Sequence, residues 1–197
     1  MLVILSAPSG CGKTTIVDRL LKRHPDWERS VSVTTRSSRG SEKEGQDYFF
    51  VTAKAFRDME AKGDLLESAK VFDHYYGTPK SFVLQRIKEG KVLMLAIDVQ
   101  GTRNILKSLG QKLSIASIFV LPPSLKVLRE RLEGRKTDTP EDIDRRISMA
   151  QEEIKLARIY DCTVMNQTLE HTVIEVENFL EKFQRERRKS SHAIHTT

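Results

Sequence analysis

The chain has 197 residues, 39% of them hydrophobic and 30% charged, which is long enough for one ordinary domain with a sizeable core and typical of a globular protein. Its formal charge is 33 − 27 = +6, but Arg185, Arg187, Arg188 and Lys189 against Glu186 put 4 − 1 = +3 of that at the very end of the chain. The modest remainder, without any stacking-aromatic or zinc-knuckle motif, argues against a dedicated nucleic-acid binder. No run is long enough to cross a membrane, the longest apolar stretch being Val92–Ile97.

In chain order, Leu2-Val3-Ile4-Leu5 reads as a buried strand and has no basic flank, so it is not a signal peptide. Ser6-Ala7-Pro8-Ser9-Gly10-Cys11-Gly12-Lys13-Thr14-Thr15 follows, and then Ile16, Val17, Leu20 and Leu21 mark one face of a helix stopped by His24-Pro25. In the phosphate-loop template G-x-x-x-x-G-K-[ST], Gly12, Lys13 and Thr14 fill the last three places and Ala7 replaces the first glycine. The chemistry survives if the amides of Ser9 to Thr14 still curl round a phosphate, with Gly10 and Gly12 permitting unusual torsions. Lys13 then supplies a point charge and the Thr14 hydroxyl a ligand for Mg2+. The helix points its positive end at the anion. Cys11, at a helix N-terminus beside Lys13, is a candidate reactive thiol.

Val31–Thr34 alternates like a strand, and the polar loop from Thr35 to Gly45 presents Arg36 and Arg39. Tyr48–Val51 reads as a strand, Ala53–Lys62 as a helix ended by Gly63, Leu65–Val71 as a strand, Tyr75–Pro79 as a turn, and Lys80–Lys88 as a helix. Val92–Ile97 is a buried strand ending in Asp98, at the carboxyl end of a strand where open α/β sheets bind ligands; Asp98 equally fits a helix cap before Val99. Ile115–Leu121 is the next buried strand and Leu125–Leu132 a helix. Thr139-Pro140-Glu141-Asp142 is a strong helix start. Arg135 in the loop before it and Arg146 beside its apolar stripe belong to a hairpin able to swing two guanidinium groups over a phosphate. Residues 163–166 read as the last strand, Leu169–Phe183 as the closing helix, and Arg185 to Thr197 as a frayed solvated tail. Two cysteines, Cys11 and Cys162, and five scattered histidines fit no metal spacing and point to a reducing cytoplasm.

Taken together, these motifs resemble a guanylate kinase of the nucleoside-monophosphate kinase group, from Leu2 to about Phe183. The resemblance rests on the phosphate loop, Ser32-Val33-Thr34-Thr35-Arg36 with Arg39, and Gly45-Gln46-Asp47-Tyr48-Phe49-Phe50-Val51. It continues through Glu67, Tyr75-Tyr76-Gly77-Thr78, Ile97-Asp98-Val99-Gln100-Gly101, Pro122-Pro123-Ser124 and Arg135-Lys136-Thr137 with Arg146. It implies an α/β fold, a P-loop three-layer parallel-sheet core (residues 1–31, 89–122 and 156–184) with a GMP-binding insertion (32–88) and a helical lid (123–155). The implied reaction is ATP + GMP ⇌ ADP + GDP with Mg2+, and dGMP as a further acceptor. Carried over position by position, Arg36, Arg39, Tyr48 and Tyr76 hold the GMP phosphate; Ser32, Glu67, Thr78 and Asp98 read guanine. Ser9, Gly10, Cys11, Gly12, Lys13, Thr14 and Thr15 hold ATP, with Asn166 near adenine, and Lys13, Arg39, Arg135 and Arg146 act in catalysis.

A carboxylate such as Glu67 accepts the paired N1 and N2 donors of guanine, a pair that adenine lacks. The planar arginine fork suits a phosphate clamp. This sequence departs from the family at Ala7, at Gly40-Ser41-Glu42, and at Ala96, where the family usually has an acid near the metal. The rival class is a guanylate-kinase-like protein-binding module, which the intact Lys13, Thr14, Arg135 and Arg146 argue against. Oligomeric state, monomer or homodimer, is left open.

Overall fold

The computed structural model describes residues 1–40, 42–110, 112–134 and 138–194. Nine strands and seven α-helices follow one another among the described residues: β1 (Leu2–Ser6), α1 (Lys13–Arg23), β2 (Glu28–Arg29), β3 (Ser32–Thr34), β4 (Tyr48–Phe50), α2 (Ala53–Lys62), β5 (Leu65–Val71), β6 (His74–Pro79), α3 (Lys80–Lys88), β7 (Leu93–Ala96), α4 (Val99–Leu109), β8 (Ile115–Leu121), α5 (Leu125–Glu133), α6 (Pro140–Lys155), β9 (Cys162–Met165) and α7 (Leu169–Ile194). The strands form a five-stranded sheet in the order β2-β7-β1-β8-β9 and a four-stranded sheet in the order β4-β3-β6-β5. In the larger sheet β2·β7 and β8·β9 run parallel, the mostly parallel α/β arrangement that buried strands separated by helices dictate. The chain divides into two compact units, Met1–Ile4 with His24–Ile115, and Leu5–Arg23 with Ala116 onwards.

In the first unit, Leu2 and Ile4 of β1, Leu93 and Leu95 of β7 and Ile97 just after it pack with Val83 of α3 and Ile105 of α4 into one buried cluster. Helix α2 is capped by Thr52, whose Oγ1 accepts from the Ala55 amide at 3.2 Å, and ends at Gly63 with φ +71°, the stop that the sequence predicts. The stretch Tyr75–Pro79 corrects the expected turn. It is a strand, β6, antiparallel to both β5 and β3. A Cβ on Gly77 would lie 2.8 Å from Leu65 Cδ1 and 3.2 Å from the Glu67 carbonyl oxygen. This glycine therefore serves close packing inside a sheet, not a turn. The two-residue strand β2 was not legible, being too short to show a period.

In the second unit, Ile16, Val17 and Leu20 of α1 are fully buried, as are Val173 and Val176 of α7. Strand β8 is closed onto the start of β9 by Asp161, whose carboxylate accepts from the Ser117 amide (2.8 Å) and hydroxyl (2.6 Å). Thr139 caps α6 and Pro140 opens it. Helix α7 continues to Ile194 where the sequence reading expects a frayed tail. The i,i+4 pairs Arg185–Glu181 and Lys182–Glu186, and Arg187 over the Phe183 ring, support the helix as far as Arg187.

Candidate active site

In the second unit, the phosphate loop joins β1 to the first turn of α1. Gly10 and Gly12 have φ of +97° and +81°, torsions that any side chain would strain. Both also lie tight against the fold: a Cβ would meet Leu128 and Leu132 of α5 at 3.0 Å from Gly10, and Asn166 Nδ2 at 2.9 Å from Gly12. Phe72 is the one non-glycine with positive φ among the described residues, so Ala7, buried at the first template position, needs no glycine torsion. That departure from the motif has no backbone cost.

Two side chains fix the loop. Asn166, buried, donates Nδ2 to the Cys11 carbonyl at 2.8 Å, and its Oδ1 accepts from Thr172 Oγ1 at 3.1 Å. Arg131 of α5 reaches the Asn166 carbonyl at 3.1 Å. The Asn166 amide, expected near adenine, is thus engaged in holding the loop. Arg146 donates Nη1 to Ser9 Oγ at 2.8 Å and Nη2 to Asp138 Oδ1 at 3.2 Å. Lys13 opens α1, with Thr14 and Thr15 exposed behind it. The Cys11 thiol is fully buried, which removes the access a reactive thiol needs. Arg135 lies outside the described residues.

In the first unit, strand register gathers the remaining candidates. Ser32 pairs with Tyr48, Thr34 with Tyr76, and Glu67 with Thr78. Paired residues, and residues two apart on one strand, share a face. Ser32, Tyr48, Tyr76, Thr78 and Glu67 therefore stand on one side of the small sheet. At one end of that face Arg36, 6% exposed, sits 5.3 Å from the centre of the Tyr48 ring and 5.9 Å from that of Phe50. The Tyr48 and Tyr76 rings meet edge to face at 6.0 Å, and burial raises the Tyr48 hydroxyl above its usual range. Arg36 Nη2 pairs with Glu42 Oε1 at 2.9 Å, while Glu42 Oε2 accepts from the Arg39 amide at 2.7 Å. The Arg39 side chain is exposed.

Toward the other end, Glu67 is 7% exposed and its Oε1 accepts from Thr78 Oγ1 at 2.7 Å. Burial pushes its carboxyl up to about 7, with the nearby Asp98 charge adding and the Thr78 bond opposing. Asp98 caps α4, accepting from the Gly101 amide at 2.7 Å, so the cap reading of this residue holds. A Cβ on Gly101 would lie 2.6 Å from Glu67 Oε2; only glycine lets that carboxylate sit against the helix. Sequence reasoning missed three supporting residues, Glu42, Asp138 and Gly101, because each acts through a contact that spacing does not encode. The available signal for Gly101 was its place three residues after Asp98, closing the Ile97–Gly101 motif.

The family model described as guanylate kinase matches residues 1–183. Guanylate kinase from Wolbachia sp. subsp. Brugia malayi (strain TRS) is 43% identical over 182 residues, covering 92% of this chain and 92% of that protein. The one from Gloeobacter violaceus is 45% identical over 179 residues, 91% of this chain and 86% of the relative. Among solved structures, guanylate kinase from Anaplasma phagocytophilum superposes with a TM-score of 0.78 at 32% identity, covering 92% of this chain and 85% of that one. With a family model spanning residues 1–183 and relatives alike over about nine-tenths of both partners, the chain belongs to the guanylate kinase family.

Proposed function

We propose that this chain transfers the γ-phosphoryl group of ATP to GMP, and to dGMP, giving ADP and the nucleoside diphosphate, as a cytoplasmic enzyme of purine nucleotide metabolism. The observation that carries this reading is the one-sided face of the small sheet. A buried carboxylate held by Thr78 lies on the same face as tyrosines gathered around a buried arginine, which suits a planar base with paired donors at one end and a phosphate at the other. Ser32, Glu67, Thr78 and Asp98 read guanine in this assignment; Arg36, Arg39, Tyr48 and Tyr76 hold its phosphate.

On the donor side, the amides of residues 9–14 and Lys13 hold the ATP phosphates, Asn166 keeps the loop in shape, and Arg135 and Arg146 serve as lid arginines. The donor set fits Mg2+: Thr14, exposed in the first turn of α1, offers a hard hydroxyl oxygen to an ion that keeps waters and substrate phosphates as its main ligands. When bound, the ion neutralises charge on the transferring phosphoryl group. A GMP phosphate oxygen bonds to the γ-phosphorus as the bridging oxygen of ADP leaves. The attacking group is already an anion, so no general base is required. Lys13, Arg39, Arg135 and Arg146 offset the charge that spreads over the phosphoryl oxygens.

Two free thiols, one of them buried, suit a reducing compartment. No described helix is long and apolar enough to cross a membrane. A coupled assay of ADP release with GMP, dGMP, AMP and UMP tests the assignment. Turnover with the two guanine nucleotides alone is expected; equal turnover with AMP refutes it.

A further inference from the structure

Arg146 lies two turns into α6, and long helical side chains lean back toward the N-terminus. Its guanidinium accordingly returns to Asp138, the residue before the Thr139 cap. The two side chains are only 12% and 9% exposed, and they pair at 3.2 Å. The other edge of the fork donates to Ser9 in the phosphate loop at 2.8 Å.

We propose that Asp138 is a positioning residue for phosphoryl transfer, fixing one edge of the Arg146 fork so that the other faces the phosphate loop at Ser9. This rests on Arg146 being a phosphate-facing group of the reaction. An acid at this place has an electrostatic cost, because it cancels part of the arginine charge and both ions are desolvated. A site that needed positive charge alone would do better without it. What the carboxylate supplies is direction: a guanidinium has donors on two edges, and tying one of them aims the other. Ser9, accepting from Arg146, keeps its own hydroxyl proton to donate to a phosphate oxygen. Misplacing a group by 1 Å in such a site costs on the order of 100-fold in rate.

The test is steady-state kinetics of Asp138→Asn, Asp138→Glu, Arg146→Ala and the double variant Asp138→Asn with Arg146→Ala, with fold checked by thermal melting and by GMP affinity. Asp138→Asn is expected to lower kcat by about 10-fold to 100-fold while both Michaelis constants stay within about threefold. Asp138→Glu is expected to recover part of the loss, and Asp138→Asn to cost nothing further once Arg146 is gone. Should Asp138→Asn not fold, Asp138→Ser carries the same test. If Arg146→Ala keeps full kcat, the reading of Arg146 fails and the proposal falls with it. If Arg146→Ala is slow but the neutral Asp138 variants keep full kcat, or if their losses add to that of Arg146→Ala, the proposal alone is overturned. Tighter ATP binding at unchanged kcat would overturn it too, since Asp138 would then act only through its charge.

Discussion

The two compact units hold two kinds of candidate recognition surface. The phosphate loop of the second unit is mostly backbone: two glycines at positive φ, the amides between Ser9 and Thr14, and one lysine. Its supports reach main-chain or hydroxyl atoms, Asn166 to the Cys11 carbonyl and Arg146 to Ser9. The polar face of the first unit is mostly side chain. It includes a carboxylate buried to 7% exposure and an arginine buried to 6%, each with a specific partner. The loop would bind any polyphosphate of suitable length, because amide donors and a point charge carry no base information. The face would discriminate, because a desolvated acceptor penalises every partner that fails to donate to it.

The largest expected effect separates charge from recognition. Lys13→Ala should lower kcat by roughly 10³-fold or more yet leave GMP affinity, measured by calorimetry, unchanged. A parallel loss of GMP affinity would show that the two surfaces are not independent in function. Next, Glu67→Gln should raise the GMP Michaelis constant by about 100-fold and leave that for ATP nearly unmoved, since the carboxamide sets an NH2 donor against a guanine donor. A smaller change, about 10-fold in the same constant, is expected for Gly101→Ala, because its Cβ would lie 2.6 Å from Glu67 Oε2 and displace the carboxylate. Wild-type GMP kinetics in that variant would mean that the carboxylate position is not critical.

The smallest effect is in pH. Because the folded Glu67 carboxyl is raised to about 7 from an ordinary 4.5, the native state holds a proton that the unfolded chain has lost between those values. Its contribution is therefore fully present below about 4.5 and falls away as pH rises to about 7, by on the order of 3 kcal/mol. Urea titrations of wild type and Glu67→Gln across that range should converge at the acidic end if burial has this effect. A flat difference would place Glu67 in a wetter setting.

The same contrast explains what was legible in the sequence. The phosphate loop is local, ten consecutive residues between an apolar strand and an amphipathic helix, so spacing alone identified it. The polar face is not local: Ser32, Tyr48, Glu67 and Thr78 come from four strands and meet only through register. Their roles came from resemblance to the family, while the residues themselves gave only strands and loops. Tyr75–Pro79 was misread because a Gly-Thr-Pro run signals a turn locally, whereas β3 and β5 on either side of β6 impose a strand. Glu42 and Asp138 were invisible as partners, since an acid six or eight residues from an arginine has no fixed geometry until the loop or helix between them is folded.

As the proposed reader of guanine, the buried Glu67 carboxyl has to be ionised to accept both donors of the base. Calorimetric titration of GMP at pH 7 in buffers of different ionisation enthalpy counts the protons released on binding, and comparison with Glu67→Gln removes the contribution of the nucleotide phosphate. With the free carboxyl at about 7, wild type should release about half a proton more than the variant. Identical proton counts in the two proteins would contradict the assignment of Glu67 as the ionised acceptor that reads guanine.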